Sequence, residues 1–271
     1  MHIFFSDLDN TLIYSYKHDI GPAKRCAEIY QGREISFMTE KTGQLLTQLK
    51  DLALIVPVTT RTIEQYARID MGIAELPYAL TCNGGILLAD GKQDAFWFRE
   101  SQKLVSPCKS QLAQGEILML RDKNRCMEVR NIQGLFLFTK SENPLESVQY
   151  LKAALNPNLV NVFSNGIKIY IVPRPLNKGT AIQRFNKRFH PDYTIAAGDS
   201  EFDIPMLAAA DLAFAPEQLK PRAGFQTDIK YISNSELFSD AMLMYIKSTL
   251  LAKHAAREQT GNTTETASFP D

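Results

Sequence analysis

The sequence predicts an α/β protein, a doubly wound parallel sheet interrupted by an inserted α+β unit. Three observations predict it. Short apolar runs alternate with helical apolar periods at both ends of the chain, the alternation gives way to successive strands in the middle, and the apolar runs stop at polar turns rich in Asp, Asn, Thr and Gly. The 271 residues, 45% hydrophobic and 22% charged, suffice for a sizeable core in one large domain or two modest ones.

The elements follow in order. Residues 2–6 form an apolar run that ends at Asp7, the pattern of a buried strand closing in a polar turn. Residues 25–30 and 34–38 flank Gln31-Gly32-Arg33 and predict a hairpin flap with a three-residue turn. Thr39 is placed to cap a helix whose Leu45, Leu46, Leu49 and Leu52 recur at helical spacing. A second strand is expected over 54–59, a helix over 62–72, and a third strand over 79–82 leading into Asn83-Gly84-Gly85. Between 87 and 172 the pattern predicts strands at 95–99, 117–121, 126–130 and 135–139, a helix at 144–155, and a hairpin of 159–163 with 168–172. The α/β alternation then resumes: helix 178–189, strand 193–197, helix 203–209, strand 212–215 and a closing helix 237–251. This divides the chain into a discontinuous core of 1–86 and 173–251, an inserted domain of 87–172, and a polar tail of 252–271 without apolar period, expected to be flexible.

Composition excludes some functions. Thirty Lys and Arg balance thirty Asp and Glu, so no nucleic-acid partner is expected, since such binding rests on neutralising phosphates. The first residues lack a basic segment followed by a long apolar one, and no apolar stretch approaches membrane-spanning length. No membrane partner is expected, and the location is expected to be cytoplasmic. Cys26, Cys82, Cys108 and Cys126 form no C-x-x-C pair and read as buried free thiols rather than a zinc site or disulfide framework.

Four segments at expected strand ends carry chemistry. In Asp7-Leu8-Asp9-Asn10-Thr11 two carboxylates stand one residue apart; in an extended strand end they would project the same way, and their repulsion calls for a hard cation such as Mg²⁺ or a shared proton. An isolated pair of this kind is more often a solvated turn. Thr59-Thr60-Arg61 offers a hydroxyl and backbone N–H groups for an oxyanion. Lys178 begins a helix, an unfavourable place for a cation unless an anion is shared there, though any single Lys is usually a solvated side chain. Gly198-Asp199-Ser200-Glu201-Phe202-Asp203 gathers three carboxylates after a strand, again a metal-binding pattern.

Taken in order, the four segments resemble the haloacid dehalogenase (HAD) superfamily. Asp7-Leu8-Asp9-Asn10-Thr11-Leu12 matches D-x-D-x-T-L, Thr59 the second motif, Lys178 the third, and Gly198-Asp199 with Asp203 the motif G-D-x-x-x-D. Thr59-Thr60-Arg61, Cys82-Asn83-Gly84-Gly85, Lys178-Gly179-Thr180-Ala181 and Asp203-Ile204-Pro205-Met206-Leu207 are similar to phrases of the Cof-like phosphatase branch with a type C2 cap. Thr60 stands where that branch usually has glycine, and Phe202 where an Asn is common.

The resemblance implies a HAD Rossmann-like core with a C2-type cap. It implies a Mg²⁺-dependent phosphatase that acts on a small phosphorylated metabolite, a sugar phosphate or nucleotide-related phosphate, through an aspartyl-phosphate. In that reading Asp7 is the nucleophile and Asp9 the general acid and base. Thr11, Thr59, Thr60 and Lys178 bind phosphate, Asp7, Asp9, Asp199 and Asp203 hold the metal, and Arg61 and Asn83 reach the substrate. Arg125, a basic residue of the inserted unit, is a further substrate candidate, though such a residue more often lies on a solvated face. Further basic residues, Arg121, Lys123 and Arg130, and the flap residues Tyr14, Lys17 and His18 are weaker candidates, while Phe96-Trp97-Phe98 reads as packing. A monomer or homodimer is expected. The alternatives are a sugar phosphomutase or phosphotransferase on the same framework, and a non-catalytic binding module, the last disfavoured because all the motif residues are present.

Overall fold

The computed structural model describes residues 1–73, 76–222 and 229–262. In chain order the elements are β1 (His2–Ser6), β2 (Tyr14–Ser15), β3 (Lys24–Tyr30), β4 (Arg33–Thr39), α1 (Glu40–Leu49), β5 (Leu54–Pro57), α2 (Ile63–Tyr66), β6 (Tyr78–Thr81), β7 (Ile86–Ala89) and β8 (Lys92–Gln93). There follow α3 (Ala95–Val105), α4 (Lys109–Arg121), β9 (Arg130–Ile132), β10 (Phe136–Lys140), α5 (Pro144–Ala154), β11 (Val160–Asn165), β12 (Lys168–Pro173) and α6 (Lys178–Phe189). The chain closes with β13 (Tyr193–Ala197), α7 (Ile204–Leu207), β14 (Leu212–Pro216), β15 (Ile229–Ile232) and α8 (Phe238–Asn262). Contacts divide it into two compact units, one of Met1–Pro57, Arg68–Leu76 and Asn186–Asp271, the other of Val58–Ala67 and Pro77–Phe185.

The first unit is built on a five-stranded parallel sheet of order β15-β14-β13-β1-β5. All five residues of β1 are buried, because the strand has a parallel neighbour on each side and no face for polar alternation. Its pairing sets Ser6 opposite Ala197, so the chain leaves β1 and β13 at the same edge of the sheet, where ligands of open α/β sheets bind. Thr39 caps α1 by accepting from the N–H of Thr42, and Leu45, Leu46 and Leu49 are buried. The hydroxyls of Thr39 and Thr42 donate to Asp240 Oδ1 at 2.6 and 2.7 Å, which fastens α1 to the first turn of α8.

Several expectations are corrected in this unit. The flap hairpin forms from β3 and β4, but Tyr30 pairs with Arg33, so the turn has two residues. Both are left-handed, Gln31 at φ 51° and Gly32 at φ 73°, the turn whose twist matches that of the strands it joins. The helix expected over 62–72 stops after the single turn α2, which Thr62 and Gln65 close with a capping box. Further on, Ile69 bridges to Glu28 and the Asp70 N–H donates to Ala27 O at 2.8 Å, so that stretch finds its backbone partners at a strand instead. The sheet gains β15, a four-residue strand the sequence pattern did not signal. α8 runs on to Asn262, through the first part of the expected tail; 263–271 lie outside the described residues.

The second unit holds the antiparallel sheet β11-β12-β10-β9 and the smaller sheet β6-β7-β8. β6, expected as a third parallel strand, pairs antiparallel with β7 and meets Val58 through an isolated parallel bridge at Leu80. Strands expected at 95–99 and 117–121 are helical. Asp94 caps α3 by accepting from the Trp97 N–H, and the buried residues Trp97, Ser101 and Val105 stand four apart, a helical stripe hidden by the aromatic run around Trp97. In α4 the buried Leu112, Gly115 and Met119 follow the same logic, while Ile117 and Leu120 face out. Leu112, Met119, Leu137, Leu151, Ile169 and Ile171 belong to one buried cluster, and a Cβ on Gly115 would come within 2.6 Å of Ile171 Cδ1, so α4 lies directly on the sheet. The stretch 126–130 is irregular up to β9. Cys82 and Cys108 are buried as expected, Cys26 is half-buried, and Cys126 is exposed. Among the described residues no helix is long and apolar enough to cross a membrane.

Candidate active site

Asp7 follows β1 directly. Its N–H donates to Ala197 O at 2.9 Å, extending the β1–β13 ladder by one residue, and the side chain is buried. The chain then coils instead of staying extended. The N–H groups of Thr11, Leu12 and Ile13 all point at Leu8 O, at 3.2, 2.9 and 2.9 Å, while Asn10 sits at φ 58° and donates its N–H to Ile13 O at 2.7 Å. Strand geometry therefore does not align the carboxylates of Asp7 and Asp9; the loop separates a buried Asp7 from a half-buried Asp9.

The loop after β13 supplies the other acids. Asp203 is fully buried, and its Oδ2 accepts from the Asp199 N–H (3.1 Å), the Ser200 N–H (3.0 Å) and the Ser200 hydroxyl (2.8 Å). One carboxylate oxygen thus shapes the loop that presents Asp199. Asp7, Asp199 and Asp203 each offer an oxygen, and these atoms lie within 4.8 Å of one another. The Thr11 hydroxyl is 3.5 Å from both Asp7 Oδ2 and Asp199 Oδ1. Carboxylates this close and this buried repel unless a cation or proton lies among them, and hard oxygen donors fit a divalent cation such as Mg²⁺. The Asp9 carboxylate and the exposed Glu201 are outside the group.

A second cluster lies in the second unit. Thr59 is fully buried; its N–H donates to Leu80 O at 2.8 Å, its Oγ1 accepts from the Arg61 N–H at 3.2 Å, and its carbonyl accepts from the Asn83 N–H at 2.9 Å. Arg61 returns a carbonyl to the Cys82 N–H at 2.8 Å, so the turns 59–61 and 82–85 are laced together. Cys82 (φ 53°) and Asn83 (φ 58°) are left-handed, and Asn83 Nδ2 donates to Leu176 O at 2.9 Å, which leaves its buried Oδ1 without a hydrogen-bond partner. Burial pushes the Cys82 thiol up to about 12. Thr60 and Arg61 are half-buried, Arg61 with Nη1 3.4 Å from Gln65 O. Lys178 is buried at the start of α6, where Asn177 Oδ1 accepts the Thr180 N–H at 2.9 Å in the manner of a helix cap.

The weaker candidates scatter. Arg125 Nη1 donates to Met127 O at 2.9 Å; Lys123 pairs with Glu146 at 2.8 Å and Arg130 with Glu128 at 2.9 Å on solvated faces. Tyr14 is buried with its phenol accepting from the Ser239 N–H at 3.1 Å, and burial raises its pKa. Lys17 and His18 are exposed. Within the first unit a cavity of about 400 Å³ opens beside Asn10 and Asp199, walled in part by Ser233, Asn234 and Glu236. Sequence reasoning missed those three, since exposed polar loop residues carry neither period nor motif.

Comparison with known proteins agrees with this architecture. The sucrose-phosphatase of Synechocystis sp. PCC6803, solved with sucrose and phosphate, superposes with a TM-score of 0.61 at 18% identity, over 91% of this chain and 96% of that one. A trehalose-6-phosphate phosphatase related protein gives 0.52 at 15% identity over 93% and 99%. A phosphatase of the haloalkanoate (HAD) enzyme superfamily from Bacteroides thetaiotaomicron gives 0.53 at 15% over 92% and 94%. At such identities the likeness is one of fold. No curated protein matches the sequence significantly. The family profile described as haloacid dehalogenase-like hydrolase matches residues 92–235, more than half of the chain, and with the parallel sheet and its acidic edge it establishes that the chain belongs to that hydrolase family.

Proposed function

We propose that the chain is a Mg²⁺-dependent phosphatase that hydrolyses a small phosphorylated metabolite, a sugar phosphate foremost, through an aspartyl-phosphate. The observation that carries this reading is the close grouping of Asp7, Asp199 and Asp203 at the adjacent ends of β1 and β13. A phosphatase whose fold is similar was solved with sucrose and phosphate, which favours a sugar as the leaving group. The division into a core of 1–86 and 173–251 with a cap of 87–172 belongs to the same proposal, as does a cytoplasmic location.

In the first step the Asp7 carboxylate attacks phosphorus, the bond from phosphorus to the substrate oxygen breaks, and Asp9 gives that oxygen a proton. In the second, water attacks the phosphorus while Asp9 takes the water's proton, and inorganic phosphate leaves Asp7 free. Asp7, Asp199, Asp203 and the Asp9 backbone carbonyl would hold Mg²⁺, which when bound offsets the repulsion between the attacking carboxylate and the phosphate. Thr59, Thr60 and Lys178 take the non-bridging oxygens, with Thr11 supporting Asp7 through its hydroxyl. Arg61, Asn83 and Arg125 are assigned to the substrate.

The test is hydrolysis of p-nitrophenyl phosphate in Mg²⁺. The expected result is turnover that EDTA abolishes and that Asp7→Asn lowers by at least a thousandfold. Turnover untouched by EDTA contradicts the metal, and turnover retained in Asp7→Asn contradicts the nucleophile.

A further inference from the structure

Trp97, which its neighbours Phe96 and Phe98 made look like ordinary packing, is tied by its polar atom to the turn that carries Asn83. The ring is 3% exposed and its Nε1–H donates to Gly84 O at 3.0 Å. A buried indole N–H needs an acceptor, and here the acceptor is a backbone carbonyl inside the turn. The other side of that turn rests on α6. Gly84 is left-handed at φ +84°, and a Cβ there would lie 2.2 Å from Ala181 Cβ. The turn is therefore gripped between α3 and α6, with no slack on the α6 side.

Arg184, on the same helix as Lys178, closes the grip. Its guanidinium lies 3.9 Å over the Trp97 ring, Nη1 donates to Ser101 Oγ at 2.9 Å and Nη2 to Trp97 O at 3.0 Å. Stacking and two directed donors fix the indole plane, and the plane fixes where its N–H points. From Gly84 the path to the phosphate ligands is short. The adjacent Asn83 N–H holds the Thr59 carbonyl at 2.9 Å, and Asn83 Nδ2 donates to Leu176 O at 2.9 Å, so the turn is tied on both sides of Asn83. The Thr59 hydroxyl accepts from the Arg61 N–H, and its own proton has no acceptor among the described residues.

We propose that Trp97, held by Arg184, is a positioning residue for phosphate binding: its indole N–H sets the Asn83–Gly84 turn, and through it the Thr59 hydroxyl. The role rests on the phosphatase reading. It differs from plain core packing in that loss of the indole N–H changes affinity for phosphate more than affinity for metal, whose carboxylates lie in other segments of the chain.

The experiment compares wild type with Trp97→Phe, which keeps an aromatic ring under Arg184 and loses the N–H. Competitive inhibition of p-nitrophenyl phosphate hydrolysis by inorganic phosphate and the Mg²⁺ activation constant are measured together. The expected result is phosphate inhibition weakened about tenfold, the scale of one buried hydrogen bond, with Mg²⁺ activation within about twofold of wild type. Unchanged phosphate inhibition in a folded, active Trp97→Phe overturns the role and leaves the phosphatase reading standing. A wild type that neither turns over the substrate nor binds phosphate overturns both. Should Trp97→Phe not fold, Arg184→Lys, which loses the planar stack but keeps the charge, is read by the same criterion, with phosphate inhibition weakened severalfold as support and unchanged inhibition as refutation.

Discussion

Gly198 and Asp203 leave no room for a methyl group between them: a Cβ on residue 198 would lie 2.3 Å from the Cβ of Asp203 and 2.4 Å from its Cγ. The glycine is required for closeness rather than for an unusual φ. Asp203 packs against the backbone so that its Oδ2 can take the Asp199 and Ser200 N–H groups, and those bonds aim Asp199 at Asp7. Gly198→Ala is expected to push Asp203 out and raise the Mg²⁺ activation constant at least tenfold, the range seen when the support of a metal ligand is lost. The check is activity against Mg²⁺ concentration for the two proteins.

The flap is anchored by charge. Glu28 in β3, 2% exposed, accepts from Arg68 Nε at 3.0 Å, from Arg68 Nη2 at 2.9 Å and from the Ser36 hydroxyl at 2.9 Å, and the Arg68 guanidinium also lies 4.6 Å over the Tyr30 ring. Removing Arg68 takes the neutralising guanidinium and its donors from a buried carboxylate. Arg68→Ala is expected to lower stability by about 3 kcal/mol, read from urea unfolding, and adding Glu28→Gln is expected to recover part of the loss.

Thiol reactivity follows burial. Alkylation requires the thiolate. Burial raises the Cys82 thiol to about 12, so at pH 8, well below that value, it stays protonated as well as covered. Cys108 is buried and shifted the same way by the same cause. Iodoacetamide on the native protein at pH 8 should modify the exposed Cys126 first and leave Cys82 and Cys108 until urea is added, as peptide mass spectrometry can show.

Part of the candidate site was legible in the sequence because Asp7 and Asp199 each come at the end of an apolar run of the kind a buried strand needs. Ile3, Phe4 and Phe5 have no polar alternation, and neither do Ile195, Ala196 and Ala197; two such strands side by side put Asp7 and Asp199 at one edge. Helix α1 was readable from its cap Thr39 and its apolar spacing. The region around Trp97 was not, because three consecutive aromatics resemble a strand while the partners that make the stretch helical, Asp94 and the residues four and eight beyond Trp97, count only once burial is known. The Asp7–Asp9 relationship also escaped, since it depends on a coil of three N–H groups about the Leu8 carbonyl rather than on strand periodicity.

The central claim is that Asp7 carries the phosphoryl group. A direct measurement is rapid acid quench of the enzyme during turnover of p-nitrophenyl phosphate in Mg²⁺, followed by borohydride reduction, which converts an acyl phosphate to an alcohol, and peptide mass spectrometry. The account predicts reduction at Asp7 alone, appearing with the burst of p-nitrophenol and absent from Asp7→Asn. Turnover with Asp7 unmodified, or with the label on another side chain, would contradict it.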